Sequence, residues 1–135
     1  MFGEKTTFKF NNSNGRDNVP MIRFAEVMLG RAESLAHIQG VNTESVSLLN
    51  SVHQRSVSGD ALWQVSDFES PQALLDKILQ ERKFEFAFEG LNRYDLIRNG
   101  IPLTTPDIPE NKKTLPIPQS EIDISHGIIK QNSAY

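Results

Sequence analysis

Residues 81–100, ERKFEFAFEGLNRYDLIRNG, set Glu81, Glu85 and Glu89 four apart in a phenylalanine-rich run and add Arg82, Arg93, Asp95 and Arg98 around them. This stretch constrains the fold most, because its charges fall where a core should be. Taking Leu75 as the reference direction and roughly 100° per residue, Ile78, Leu79 and Phe86 lie within about 60° on a helix. Arg82 and Glu89 share that arc, and Glu85 sits near its edge. The opposite side carries Gln72, Asp76, Gln80 and Lys83, the composition of a solvated face. Ionised groups in apolar surroundings must be paired and hydrogen-bonded, since stranding one is heavily destabilising. The expectation is therefore a buried ionic framework, with Arg82 facing Glu26, Glu33 or Glu89, and Arg93 or Arg98 facing Asp95 or Glu85. Phe84 and Phe88 point away from the arc, so this helix fits a place packed by more protein than the chain supplies.

The catalytic alternative is a carboxylate pair for glycoside hydrolysis drawn from Glu81, Glu85 and Glu89. Such pairs stand ~5 to 9 Å apart, a distance that residues four apart on a helix meet. Arginine-rich surroundings hold carboxylates ionised, whereas a general acid needs a raised pKa, so structural pairing is preferred.

Upstream, TTFKFNNSNGRDN reads as a short extended piece followed by a loop within residues 1–19. Pro20 can open a helix, because its missing N–H costs nothing in the first turn, and Gly40 can close it. Ile22, Ala25, Leu29, Ala32 and Ala36 form its inward arc, with Glu26 and Glu33 at the margin. A second helix is expected from Thr43 to Val57, capped by Asn42 or Thr43, with Val46, Leu49 and Val52 facing inward. The two make an antiparallel hairpin. Residues 58–69 show no sustained period and read as a loop holding the single tryptophan, Trp63. Ser70 and Pro71 cap and start a third helix running to Phe88, Gly90 breaks it, and a short helix ends at Gly100.

Five of the seven prolines fall between Pro102 and Pro118, which forbids regular helix and favours an extended strap with one helical turn from Ser120. Leu115, Ile117, Ile122 and Ile128 are expected to cover the helices. The fold class is all-α: tetratricopeptide-like helical hairpins with a proline-rich extended C-terminal strap, organised as residues 1–19 and a helical module over 20–135.

A balance of 14 basic against 17 acidic residues gives no electrostatic footprint for nucleic acid or an anionic membrane. Cysteine is absent, which removes disulfides, thiolate metal sites and a lipid-bearing cysteine from this chain. No signal-like segment or membrane-length apolar run is present, so the chain reads as soluble as given. His37, His53 and His126 show no ligand spacing with one another or with an acidic partner, so neither metal nor cofactor is expected. Trp63 is a candidate stacking platform for a sugar ring, weighed against the commoner role of anchoring a loop to the core.

Several segments also match a family. IRFAEVMLGRAESL resembles the SusD/RagB-family helix with an arginine, Ala-Glu and a later Ala-Glu, carried here by Arg23, Ala25, Glu26, Ala32 and Glu33. LLNSVHQRS resembles their Leu-Asn-x-Val-Arg-x-Arg helix, and ILQERKFEFAFEGLNRYDLIRNG their Glu-Arg, Glu, Glu-Gly and Asp-Leu-x-Arg run. LPIPQSEID and IIKQNSAY resemble the closing Pro-Ile-Pro segment and the Gln-Asn tail. The chain departs from the pattern at His53 and Asn92, where arginine is usual, at Ser125-His126 in place of Asn-Pro, and at Ser133-Ala134 in place of Pro-Gly.

The resemblance covers Pro20 to Tyr135 and implies the C-terminal part of a surface glycan-binding lipoprotein of Bacteroidetes. It implies a non-catalytic role in oligosaccharide capture and nutrient uptake at the cell outer membrane, beside a SusC-like TonB-dependent transporter. Membrane association would run only through a lipid anchor absent from this chain. The expected ion network is Arg23, Glu26, Glu33, Glu81, Arg82, Glu85, Glu89, Arg93, Asp95 and Arg98, with Trp63 as the glycan contact. The alternative function is a helical-repeat module that binds a protein partner and no sugar.

Overall fold

The computed structural model describes residues 9, 14–18, 20–57, 62–103 and 108–135. Among these the regular structure is helical, with no strand. The order is α1 (Phe24–Gln39), α2 (Thr43–His53), α3 (Pro71–Glu85), α4 (Leu91–Arg98) and α5 (Gln119–Ile124), with two 3-10 turns, Val65–Asp67 and Glu110–Lys112. The chain divides into two compact units, Met1–Asn92 and Arg93–Tyr135. The extended piece expected around Phe8 and Phe10 lies outside the described residues.

In the first unit α1 and α2 form a hairpin that packs against α3. Small residues make the close approach possible: Ala25, Ala32 and Ala36 are buried on α1, and the buried Ser45 hydroxyl on α2 donates to the Ala32 carbonyl at 2.7 Å. That bond satisfies a polar group the core would otherwise strand. Leu29, Val46, Leu49, Val52, Leu74, Leu75, Ile78 and Phe86 fill the space between the helices. The connection turns at Gly40, whose φ of 72° suits glycine and whose N–H closes α1 on the Ala36 carbonyl at 3.0 Å. Asn42 caps α2 by accepting from the Ser45 N–H at 2.8 Å, and Ser70 caps α3 by accepting from the Ala73 N–H at 3.2 Å ahead of Pro71.

Three helix ends differ from expectation. Pro20 and Ile22 stand outside α1, and Ile22 is exposed rather than inward; Arg23, with extended backbone, precedes the first helical residue because its side chain is bound far along the chain. α2 stops at His53 and the chain continues in a turn through Ser56. α3 stops at Glu85 rather than Phe88, and Phe88 takes a positive φ of 67°. Residues 62–69, read as loop, contain the Val65–Asp67 turn, closed by a capping box in which Asp67 accepts from the Gln64 N–H.

The second unit is held by side-chain amides. A proline-containing segment cannot build a regular ladder, so its free backbone groups need other partners. Gln131 supplies them for Ile117, donating to its carbonyl at 2.9 Å and accepting from its N–H at 2.8 Å. Asn132 donates to the Leu115 carbonyl at 2.6 Å, and Arg93 to the Lys113 carbonyl at 2.7 Å. The Pro-Ile-Pro segment and the Gln-Asn tail are thus two halves of one clip. Of the four apolar residues expected to cover helices, Leu115 and Ile128 are instead exposed, while Ile117 and Ile122 are partly buried. Their neighbours are prolines and polar residues, which leaves too little apolar material for a sealed layer.

Candidate functional site

At the end of α3 the last turn leaves carbonyls without intrahelical partners, and the helix dipole favours cations there. Arg23 and Lys9 occupy that position. The Arg23 guanidinium donates to a Glu85 carboxylate oxygen at 2.6 Å, to the Glu85 carbonyl at 2.9 Å, and to both Glu89 carboxylate oxygens at 3.0 Å. Lys9 donates to the Glu85 carbonyl at 2.9 Å, the Ala87 carbonyl at 3.1 Å and Glu89 at 2.8 Å. Beneath them the buried Phe86 ring lies 5.0 Å from the Arg23 guanidinium and 5.2 Å from that of Arg82. One guanidinium thus ties the start of α1 to the end of α3, with an aromatic floor.

The carboxylates are largely removed from water, the Glu85 and Glu89 side chains being 8% and 11% exposed. Burial pushes the Glu89 pKa up, but hydrogen bonds and charge from Lys9 and Arg23 outweigh it and hold the carboxyl below the usual glutamate range. Burial likewise acts to lower the Arg23 pKa, and its bonds and charge interactions with Glu89 and Glu85 carry it above its ordinary value. A groove of about 410 Å³ adjoins this cluster, lined by Lys9, Arg23, Arg55, Glu81, Phe84 and Glu85 among others. Its carboxylates are partnered: Glu81 bonds His53 Nδ1 at 2.9 Å, and Arg55 lies 3.7 Å from Glu85.

The structure therefore joins Arg23, Glu85 and Glu89 in one cluster and places Glu81 beside it. Arg23 supplies a guanidinium that Glu89 engages with both carboxylate oxygens. Arg82 and Glu33 are both buried, and Glu33 stands 4.0 Å from His37, one turn away on α1. Glu26 is partly buried in the first turn of α1. Asp95 and Arg98 pair within α4, Nε and Nη2 of Arg98 donating to one Asp95 oxygen at 3.0 and 2.9 Å. Arg93 faces backbone carbonyls of the second unit rather than a carboxylate.

Two histidines do have acidic partners, contrary to the expectation from spacing. The Glu33–His37 spacing of four was visible on one helix, whereas His53 and Glu81 meet only because α2 packs on α3. Lys9 was missed for a similar reason: nothing local distinguishes a lysine in a polar segment.

Trp63 is partly buried against the core. Its backbone N–H donates to Asn50 Oδ1 at 3.0 Å and its backbone carbonyl accepts from Asn50 Nδ2 at 2.9 Å, so one amide clamps it to α2. Lys77 Nζ stands 4.4 Å from the ring centroid, and the rings of His53 and Phe68 lie tilted 5.9 and 6.2 Å away. Trp63 also lines a second groove, of about 320 Å³, between α2 and residues 62–65.

A compact all-α arrangement of hairpin and partner helix, of tetratricopeptide-like type, with its buried charges tied across helix ends, defines a helical scaffold. The SusD family profile matches residues 4–114, and the chain belongs to that family. SusD-like protein P2 of Formosa agariphila is 30% identical over 91% of this chain and 28% of the relative. SusD-like protein P25 of the same organism is 30% identical over 93% of this chain and 25% of the relative. Surface glycan-binding protein A from Bacteroides thetaiotaomicron superposes with a TM-score of 0.62 at 31% identity, covering 87% of this chain and 25% of that one. The chain spans about a quarter of the length of these relatives. Among the described residues no helix is long and apolar enough to cross a membrane.

Proposed function

We propose that this chain is a helical module of a longer, outer-membrane surface lipoprotein that captures oligosaccharides without cleaving them and passes them to a SusC-like TonB-dependent transporter. The single observation carrying the reading is the likeness in sequence and fold to surface glycan-binding protein A. The chemistry of α3 agrees with a non-catalytic role: Glu85 and Glu89 share one guanidinium, and a Glu89 carboxyl held below the usual range is a poor general acid. Calorimetric titration with an oligosaccharide panel, paired with co-purification of the transporter, tests it. Saturable glycan binding without hydrolysis is expected. Absence of glycan binding, or hydrolysis abolished by Glu85→Gln or Glu89→Gln, overturns it.

A second reading is a protein-interaction module. It is favoured by the exposed Met21, Ile22 and Phe24 before and at the start of α1, and by Phe84 and Phe88 around the end of α3. Recovery of a protein partner by a chain that binds no glycan would select it.

A further inference from the structure

The groove between α2 and residues 62–65 has walls of different chemistry. Thr43, Ser47 and Ser51 on α2, with Gln54 at its C-cap, recur every three to four residues, so they share one face, turned away from the buried Val46–Leu49–Val52 side. Leu62, Trp63 and Val65 supply apolar surface on the other wall. Among the described residues no charged side chain lines the groove. The wall is fixed before any ligand arrives, because Asn50 spends both ends of its amide on the Trp63 backbone and the capping box closes the next turn.

What remains is unused hydrogen-bonding capacity. The Ser47 hydroxyl and the Gln54 amide have no side-chain partner among the described residues, and Ser51 spends its proton on the Ser47 carbonyl but keeps its acceptor lone pairs. The Trp63 indole nitrogen is buried with no acceptor among the described residues. A buried donor left unpaired is costly, so its signal is a sensitive reporter of any rearrangement beside it. A volume of about 320 Å³ lies at the lower end of small-molecule sites.

A pyranose ring has a rim of hydroxyls, each donor and acceptor, and a C–H face that packs on apolar and aromatic surface. We propose that this groove is a binding subsite for an uncharged sugar ring, with its hydroxyls toward Ser47 and Gln54 and its C–H face toward the Leu62–Val65 wall. The lining side chains among the described residues are uncharged and the nearby Lys77 ammonium is already seated over the Trp63 ring at 4.4 Å, so the groove offers hydroxyl and amide contacts suited to neutral rather than uronic or sulfated sugars. The proposal rests on the glycan-binding reading above and assigns it a place and a ligand class.

The test titrates the chain with malto-, xylo- and laminarihexaose and with an oligogalacturonate, following nitrogen–proton spectra. Trp63 is the sole tryptophan, so its indole N–H gives one unambiguous signal. The expected result is a saturable shift of that signal and of Ser47 and Gln54 with at least one neutral probe, and at least tenfold weaker binding by Ser47→Ala/Gln54→Ala. Both substituted residues are exposed, and mapping on the unsubstituted chain stands independently of the variant's folding. Neutral-probe binding that leaves these signals and the variant's affinity unchanged overturns the groove while keeping glycan capture. Preference for the oligogalacturonate overturns the ligand class. Binding of none of the probes overturns the groove and removes glycan capture from this chain.

Discussion

At the end of α3, Arg23 and Lys9 direct their donors into Glu85, Glu89 and the last carbonyls of the helix. In the groove beside α2, the Ser47 hydroxyl and Gln54 amide have no such partner among the described residues. The first region is charged, largely buried and mutually satisfied; the second is neutral and unsaturated. Its charge content would make the α3 cluster the more obvious active site, yet a group already engaged by its neighbours must break those bonds before it can bind or react. Polar groups matter for recognition where their capacity is unspent.

The contrast can be broken most forcefully at Phe86. It is the floor of the ionic cluster, so Phe86→Ala should cost about 3–5 kcal/mol by denaturant unfolding. Phe84→Ala and Phe88→Ala should each fall within about 0.5 kcal/mol, because those rings are 63% and 72% exposed. A flat response across the three would mean that the cluster has no packed floor.

Arg23→Ala should destabilise by about 2–4 kcal/mol, since it strands two nearly buried carboxylates while leaving Lys9 and Arg55 as partial partners. Arg23→Lys should recover only part, lacking the planar fork that reaches both glutamates. The same cluster sets an acid dependence. Because the folded Glu89 carboxyl binds its proton less readily than the unfolded one, its contribution is present above the unfolded pKa of about 4.3 and is lost as pH falls through the lower folded value. Unfolding titrations below that pH should show a shallower acid loss in Arg23→Ala than in the parent chain.

Asn50→Ala should cost about 1–2 kcal/mol by freeing the Trp63 backbone, and should loosen the groove while the α3 cluster keeps its bonds. Hydrogen exchange unchanged around Glu85 but accelerated at Trp63 would confirm that the two regions are independent.

The one expected gain in stability concerns Phe88, a bulky residue at a positive φ. Phe88→Gly should stabilise by up to about 1 kcal/mol, the relief of left-handed strain exceeding the added freedom of the unfolded chain. Thermal unfolding reads the sign.

The parts legible in sequence were those encoded locally. Asn42, Ser70 with Pro71, and Gly40 marked helix ends by their own chemistry, and Val46, Leu49 and Val52 declared a face by their spacing. The position of Glu89 on an apolar arc, with Glu85 near its edge, was also visible from spacing. Which guanidinium reaches those two carboxylates was not visible, because Arg23 arrives across 62 and 66 residues and helix packing rather than spacing decides it. The early start expected for α1 and the late end expected for α3 fail at the residues that cluster holds. Positive φ at a phenylalanine leaves no mark in composition, so Phe88 could not signal that α3 had ended.

A double-mutant cycle on Arg23→Met and Glu89→Gln, read by equilibrium unfolding at neutral pH, tests most directly whether these charges are spent on one another. The structure predicts a coupling free energy of about 1.5–3 kcal/mol. Additive effects within about 0.3 kcal/mol would show that the guanidinium and carboxylate do not sustain each other, and would contradict the account.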